Sequence, residues 1–548
     1  MGWLSVISKQ LPLFVAIPLG LGFLSAVLEK FRSGPKFSDV LAVLGMLLLL
    51  MMSITGLGMV GEPGAHPMVT WIGKWAPPLV GINMVLDGLS GLLLVTISLV
   101  GFASTLFSLN YMRRFTSRGY FWSLFLIMVA AMNGVVLAGD LFNLYVFLEV
   151  AAISSYGLVA FGCESEELEA AFKYLVQGAI ASTMILLGVG VIYNLTGTLN
   201  MAQAAERLAQ VSATGPILLA SAFFLMGFGL KTALVPFHAW LPDAHPSAPA
   251  PISAMLSGVL IKSSGAYALC RIFFNVIGVT PHVAWVLIIL GVLSMVVGVF
   301  LAIGQYDFKR LLAYHSISQM GYVVLALGVG AEVLARPDVD SVMVAVAGLC
   351  IFGGLFHLFN HAAFKSLLFL TSGSIEQQTG TRKLDEMGGL AKLMPVTSGC
   401  CRIASLSIAG VPPFNGFFSK LVIVVAVIMA GHYWLAAVTV FVSFMTLNSF
   451  IKVQRYALQG EVPPALAQVR EAPGFMQLGM VLLAVVCLTV GLGAWVLRDQ
   501  LFRPAELVLT ARPAGYAKQV LTQEPSRPGA RRAQAASTAD APETGAQP

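Results

Sequence analysis

Apolar residues run through this chain in blocks too long and too uniform to be one face of a soluble amphipathic helix. A run of about 18 apolar residues is enough to carry a helix through a hydrocarbon layer. Such runs lie near 11–29, 38–60, 80–108, 120–138, 141–161, 170–194 and 215–235. Seven more lie near 251–277, 284–304, 310–330, 341–372, 398–430, 433–453 and 476–497. The pattern predicts an all-α polytopic membrane protein with about fourteen transmembrane helices, here called spans 1 to 14. Composition agrees, with 57% hydrophobic and 11% charged residues among 548. Soluble chains carry about 25% charge. The first apolar run lacks a small-x-small cleavage site and reads as a retained first helix. The stretch 504–548 is polar and rich in Ala, Pro and Arg, and is expected to be disordered.

Charge in the short connections predicts orientation. Loops after odd-numbered spans hold fourteen basic residues, among them Lys30, Arg32, Arg113, Arg114, Lys309, Arg310, Arg382 and Arg455. Loops after even-numbered spans hold four, Lys74, Arg207, Arg271 and Arg336. The positive-inside rule then makes the odd side cytoplasmic and leaves both termini outside. The net charge of +6 is thus a topology signal, because no basic run interleaved with aromatics points to nucleic acid. Six cysteines contain no C-x-x-C spacing, which argues against a zinc or iron–sulfur site and against a disulfide framework.

The chain also echoes itself. AAFKYL (170–175) recurs as AAFKSL (362–367), and ISSYGLV (153–159) as ISQMGYV (317–323). LVPFHAW (234–240) pairs with VPPFNGF (411–417), and IKSSGAYAL (261–269) with IKVQRYAL (451–458). Four matches in one order predict two internal copies, spans 4–8 and 9–13. Five spans is an odd number, so successive copies enter from opposite sides as inverted five-helix repeats. Prolines interrupt matching places: Pro236 follows Lys231, and Pro412 and Pro413 precede Lys420. A proline removes a backbone donor and clashes with the preceding turn, so spans 7 and 12 should break there. Open backbone at membrane depth is tolerated only against protein or a watery cavity.

Ten titratable residues fall inside the apolar spans: Glu149, Lys173, Lys231, Lys262, His315, His357, His361, Lys365, Lys420 and Lys452. A lone charge near a helix centre costs about 2.5–3.5 kcal/mol on insertion scales. Most of the ten should therefore face a polar interior, although Lys173, Lys365 and Lys452 also fit a position near a helix end. Glu149 needs a cation, and Lys231 is the natural partner. If that contact weakens, a buried lysine can release its proton. In FHLFNHAAFKSLLF, His357, His361 and Lys365 recur every four residues and share one helix face. With His315 they can pass protons through water. His238, Asp243 and His245 occupy the Pro-rich connection after Lys231.

These motifs carry a resemblance. DLFNLYVFLEV, HAWLPDAHPSAPAPISAMLSGVLIK, KRLLAYHSISQMGY, FHLFNHAAFKSLLFL and AGVPPFNGFFSK resemble the antiporter-like proton-channel subunits of complex I, membrane-bound hydrogenases and Mrp sodium/proton antiporters. The similarity runs from about residue 80 to 455. YHSISQMGY looks most like the D-type Mrp subunit and related hydrogenase subunits. The resemblance implies fourteen helices, two inverted five-helix units and broken helices 7 and 12. It puts Glu149 and Lys231 at the helix-5 and helix-7 pair, Lys262 at the helix-8 lysine, His357 and His361 at the helix-11 histidines, and Lys420 at the helix-12 proton exit. It implies a multi-pass protein of a bacterial- or archaeal-type cell membrane.

The expected organisation is spans 1–3 in 1–110, a first repeat in 111–280, a second in 281–455, span 14 in 456–503 and the tail in 504–548. The expected function is proton translocation, with sodium exchange or a redox reaction as the coupled process. Its expected partners are other membrane subunits of a complex and, where the coupled process is redox, peripheral redox subunits. No nucleotide fingerprint, metal cluster or haem motif is present, so no cofactor is expected in this chain and any oxidoreductase chemistry would belong to partners. Two other readings compete: a stand-alone secondary transporter, which would need a solute pocket, and a structural subunit that has lost transport.

Overall fold

The computed structural model describes residues 6, 7, 9–31, 34–62, 64–72, 82–115 and 117–522. Each apolar block becomes a helix. Spans 1 to 6 are Leu13–Leu28, Gly34–Gly61, Gly88–Tyr111, Arg118–Leu137, Leu141–Val159 and Ser165–Thr196. Spans 8 to 11 are Ala250–Val276, Pro281–Ile303, Phe308–Leu334 and Ser341–Thr379. Spans 13 and 14 are Tyr433–Leu458 and Gly474–Leu492. Span 7 comes in two pieces, Thr214–Thr232 and Leu241–Ser247, and span 12 likewise, Pro395–Ala409 and Asn415–Met429. Among the described residues twelve helices are long and apolar enough to cross a membrane, while Leu13–Leu28 and Asn415–Met429 are shorter apolar helices. A two-stranded antiparallel ribbon, β1 (Met68–Trp71) against β2 (Asn83–Leu86), leads into span 3 with Val69 opposite Val85.

Polar residues in the connections set the helix ends. Asp87, Asp140, Asp307 and Asp340 stand one residue before spans 3, 5, 10 and 11. Each carboxylate accepts a hydrogen bond from an amide of the first turn, at 2.7–2.9 Å, which satisfies donors that a helix leaves free at its start. Spans 6 and 11 end in the same Thr-Gly-Thr corner. Gly197 and Gly380 take positive φ, and the hydroxyls of Thr196 and Thr379 donate to the carbonyls of Thr198 and Thr381. Each corner then accepts a bond from the start of an earlier span, Leu141 N to Leu199 O and Phe308 N to Arg382 O.

The two breaks also correspond. The first half of span 7 is capped by Ala233 at φ 58°, that of span 12 by Gly410 at φ 81°. Each is followed three residues later by a cis proline, Pro236 and Pro413. Other echoes diverge. Lys173 and Lys365 sit in matching hexapeptides, yet Lys173 lies near the exposed start of span 6 and Lys365 is fully buried in the later part of span 11. Lys452, likewise matched to Lys262, caps the end of span 9 by donating to Ile303 O and Gln305 O.

Spans 9 and 10 pack along a seam of glycines. A Cβ on Gly291 would stand 2.6 Å from Leu325 N, and one on Gly321 2.5 Å from Met295 N. Such backbone contact is how helices associate where apolar burial supplies little driving force.

Three sequence expectations change. Arg271 is not a loop residue: it lies in the last turns of span 8, buried, with Nη1 2.7 Å from Asp87 Oδ2. Lys309 is also buried, at 2.8 Å from Glu376. The expected disorder of the tail does not begin at 504, because Arg503–Thr510 and Arg512–Leu521 are helices. Their apolar faces pack on the body through Val508, Leu509, Tyr516 and Val520. Tyr516 lies under the Arg271 guanidinium, 5.1 Å away, and Asn275 donates to Val508 O. Ala and Pro counts misled because a short amphipathic helix needs only a few apolar residues on one face. Arg32, Lys74 and residues 523–548 lie outside the described residues.

Removing one member of a buried ion pair leaves the other uncompensated, at about 3–5 kcal/mol. Asp87→Ala is therefore expected to lower the thermal unfolding midpoint of the purified protein, with Asp87→Ala/Arg271→Met recovering most of the loss. A single variant as stable as the parent would contradict this assignment.

Candidate functional site

Lys231 ends the first half of span 7 and points at span 5. Its Nζ stands 3.6 Å from Glu149 Oε1, beyond ordinary hydrogen-bond length, and no hydrogen bond reaches Nζ among the described residues. The lysine side chain is 6% exposed and the glutamate 29%. Ser182, from span 6, donates its hydroxyl to the same Glu149 oxygen. A neutral donor thus holds the carboxylate while the ammonium is attracted through space. Trp240, just past the break, donates to Leu230 O at 3.0 Å and stacks on Tyr174 with centroids 4.2 Å apart.

Lys262 is fully buried where span 8 widens into π-helical turns, Leu256–Leu260 and Lys262–Tyr267. Its ammonium donates to Ser257 O at 2.6 Å, and Ser257 shares a hydroxyl bond with Ser316 of span 10 at 2.7 Å. Wide turns of this kind loosen the regular ladder and recur at functional sites.

The three residues that share a face of span 11 all point inward and are fully buried. Lys365 donates to Leu312 O of span 10, with its ammonium 5.5 Å from the Phe369 ring. Neither ring nitrogen of His361 has a protein partner among the described residues. The rings of His361 and His357 lie stacked, 6.5 Å apart. His357 contacts Gln319 Oε1 at 3.2 Å and Ser419 Oγ at 3.0 Å. With the Gln319 amide in this orientation the oxygen only accepts, so Nε2 carries the proton and Nδ1 faces the serine.

Lys420 spans the gap in span 12. Its ammonium donates to Ile408 O at 2.7 Å, in the last turn of the first half, and to Ser443 Oγ of span 13 at 3.2 Å. The Tyr322 ring lies 4.9 Å away. Asn415 opens the second half and is paired with Asn360 of span 11 through two bonds of 3.0 and 3.1 Å. Ser407 donates to the Asn415 side-chain oxygen.

The remaining candidates divide. His315 is buried and bonded through Nε2 to Ser449 of span 13 at 2.8 Å. His238 stands half-buried at the break of span 7, its buried Nδ1 without a partner among the described residues. Lys173 leaves the set, since its side chain is 45% exposed and pairs with Glu169 and Asp243. Sequence reasoning missed Ser182, Gln319, Asn360, Asn415 and Ser419. For Asn415 a signal existed, a polar residue beside the proline break. For Ser182 there was none, because a serine inside an apolar helix usually bonds its own backbone.

Comparison with known proteins matches residues 138–446 to the family model described as NADH:quinone oxidoreductase/Mrp antiporter, TM. The chain is 36% identical over 508 residues to the N-type subunit of the NADH-quinone oxidoreductase of Desulforudis audaxviator, covering 89% of this chain and 95% of that one. It is 34% identical to the D-type subunit of the Na(+)/H(+) antiporter of Alkalihalophilus pseudofirmus, covering 93% and 98%. A chain in the solved structure of the Mrp complex from a Dietzia species superposes with TM-score 0.83 at 29% identity, covering 94% of this chain and 99% of that one.

The Asn360–Asn415 pair joins span 11 to the second half of span 12. Asn415→Ala would leave buried groups of Asn360 and Ser407 unpaired, at about 1–3 kcal/mol each. A lower unfolding midpoint is expected for Asn415→Ala, and an unchanged midpoint would show that the pair does not hold the half-helix.

Proposed function

We infer the function from one premise: this chain belongs to the NADH:quinone oxidoreductase/Mrp antiporter transmembrane family. It is a proton-translocating membrane subunit of a multisubunit ion-translocating complex, and other membrane subunits are its partners. Its odd-numbered loops face the cytoplasm. The removal of Arg271 from the even-side loops sharpens the charge asymmetry that supports this orientation. Spans 4–8 and 9–13 are two inverted units, a reading supported by the corresponding breaks at Pro236 and Pro413 and the shared Thr-Gly-Thr corners.

The observation that carries the proposal is the loose pair of Lys231 and Glu149 beside an opened helix. While Glu149 stands close, the lysine ammonium is compensated. When the carboxylate swings away, the ammonium is left buried without a counter-charge and gives up its proton. The proton passes inward to Lys262, then by His361 and His357 to Lys420. Neither nitrogen of His361 bonds to the His357 ring among the described residues, so water carries the proton between them. Lys420 releases it at the break in span 12, where the ammonium and the opened backbone are bonded together. His315, His238 and Lys365 lie beside this route. The chain's part is to hold and hand on protons, and the driving reaction belongs to its partners.

The test measures proton translocation in membrane vesicles containing the assembled complex. Lys231→Ala is expected to reduce it to about a tenth or less, equivalent to about 1.4 kcal/mol or more on the limiting step, with assembly retained. Glu149→Gln should slow it less, because Ser182 can still bond the amide. Lys420→Ala should block exit as severely as Lys231→Ala. Wild-type rates in an assembled Lys231→Ala complex would remove this mechanism.

A further inference from the structure

On the face of the odd-numbered loops, two adjoining cavities of about 430 and 390 Å³ share Glu166, Ser247 and Arg382 in their walls. At the inner wall of the smaller one, Lys309 in the first turn of span 10 meets Glu376 near the end of span 11, with Nζ–Oε2 2.8 Å. The lysine side chain is 3% exposed and the glutamate 20%. The carboxylate therefore fronts the cavity and the ammonium lies behind it. Lys309 also donates to Ala248 O at 3.3 Å, in the connection that follows span 7. Three residues earlier in sequence, in the second piece of span 7, stands His245, fully buried, with neither ring nitrogen bonded among the described residues. Its ring meets the edges of Trp240 and Phe369, with centroids 6.4 and 5.2 Å away. Phe369 in turn lies 5.5 Å from the ammonium of Lys365.

We propose that the Lys309–Glu376 pair is the gate through which protons pass between water in this cavity and the His245–Lys365 end of the buried axis. The proposal rests on the proton-translocation reading above. A buried ion pair is by itself weak evidence for a stabilising role, because desolvation consumes most of the attraction. A simple latch between spans 10 and 11 would have no use for a polar cavity on one side and an unbonded imidazole on the other. A proton from cavity water adds to the Glu376 carboxylate and makes it a neutral carboxyl. Lys309 is then an uncompensated buried ammonium, and it passes a proton inward toward the neutral ring of His245. The Glu376 carboxyl reprotonates the lysine and returns to carboxylate. One proton enters, one leaves, and both groups regain their starting state. Other charges facing the pair are Arg114, Glu164, Glu166, Glu167 and Arg382, with Asp307 behind Arg382. The carboxylates among them keep protons concentrated at the mouth.

The experiment compares proton translocation across a pH series in vesicles holding the assembled complex, for Glu376→Gln, Glu376→Asp and Lys231→Ala. Glutamine keeps the size and hydrogen bonding of Glu376 but cannot take up a proton. Translocation is expected to fall to about a tenth or less. Aspartate, shorter and farther from Lys309, should keep measurable translocation while its pH profile shifts. A latch role would leave the profile unchanged in both. Wild-type rate and profile in Glu376→Gln, with Lys231→Ala inactive, overturn the gate and leave the proton-translocation reading standing. Wild-type rates in both variants overturn that reading as well. If the glutamine variant fails to assemble, an assembled Glu376→Asp complex with an unshifted profile overturns the gate equally.

Discussion

Every lysine ammonium buried in this apolar bundle has to find an oxygen, and the rest of the structure is arranged around where that oxygen comes from. An unpaired charge at membrane depth is too costly to persist, and carboxylates are scarce inside the spans. The backbone supplies the deficit. Lys262 leans on Ser257 O, Lys365 on Leu312 O and Lys420 on Ile408 O. Two of these carbonyls lie where the helix is irregular, in a π-helical turn and at the end of a broken half. Among the lysines of the proposed path Lys231 is the exception, matched instead to a carboxylate beyond hydrogen-bond length.

That exception separates two kinds of site. A lysine held by a fixed carbonyl sits in a field that changes only if the helix itself moves. A lysine held by a carboxylate sits in a field that changes when one side chain turns. Ser182 already bonds the Glu149 oxygen that faces the lysine, so a neutral donor shares that oxygen with the ammonium. The broken spans bring these elements together: the opened backbone provides both the carbonyls and the freedom of the half-helices. At span 12 the same lysine that carries charge also bonds across the gap to the first half of the span, which couples its protonation to the geometry of the break.

Much of this was legible. The length of apolar blocks located the twelve helices that are long and apolar enough to cross a membrane among the described residues, and two shorter ones, because hydrocarbon thickness leaves little choice of helix length. Period four placed His357, His361 and Lys365 on one face, and all three are buried. The prolines marked both breaks. What misled was local likeness without depth. Lys173 and Lys365 share a hexapeptide, but one lies at a helix mouth and the other in the interior. Arg271 read as a loop cation because it stands near the end of its apolar block, while its real partner, Asp87, is 184 positions away in sequence.

Sequence by itself therefore determined where the apolar helices lie, the two interruptions and the buried face of span 11. All of these follow from short-range physics: chain length against membrane thickness, helical periodicity and the chemistry of proline. Only the tertiary structure decided which charges meet. It set Ser182 against Glu149, Gln319 and Ser419 against His357, and Glu376 against Lys309. It also folded residues 503–521 back onto Arg271. Those pairings depend on how distant helices rotate and cross, and no periodicity along one helix records the rotation of its neighbour.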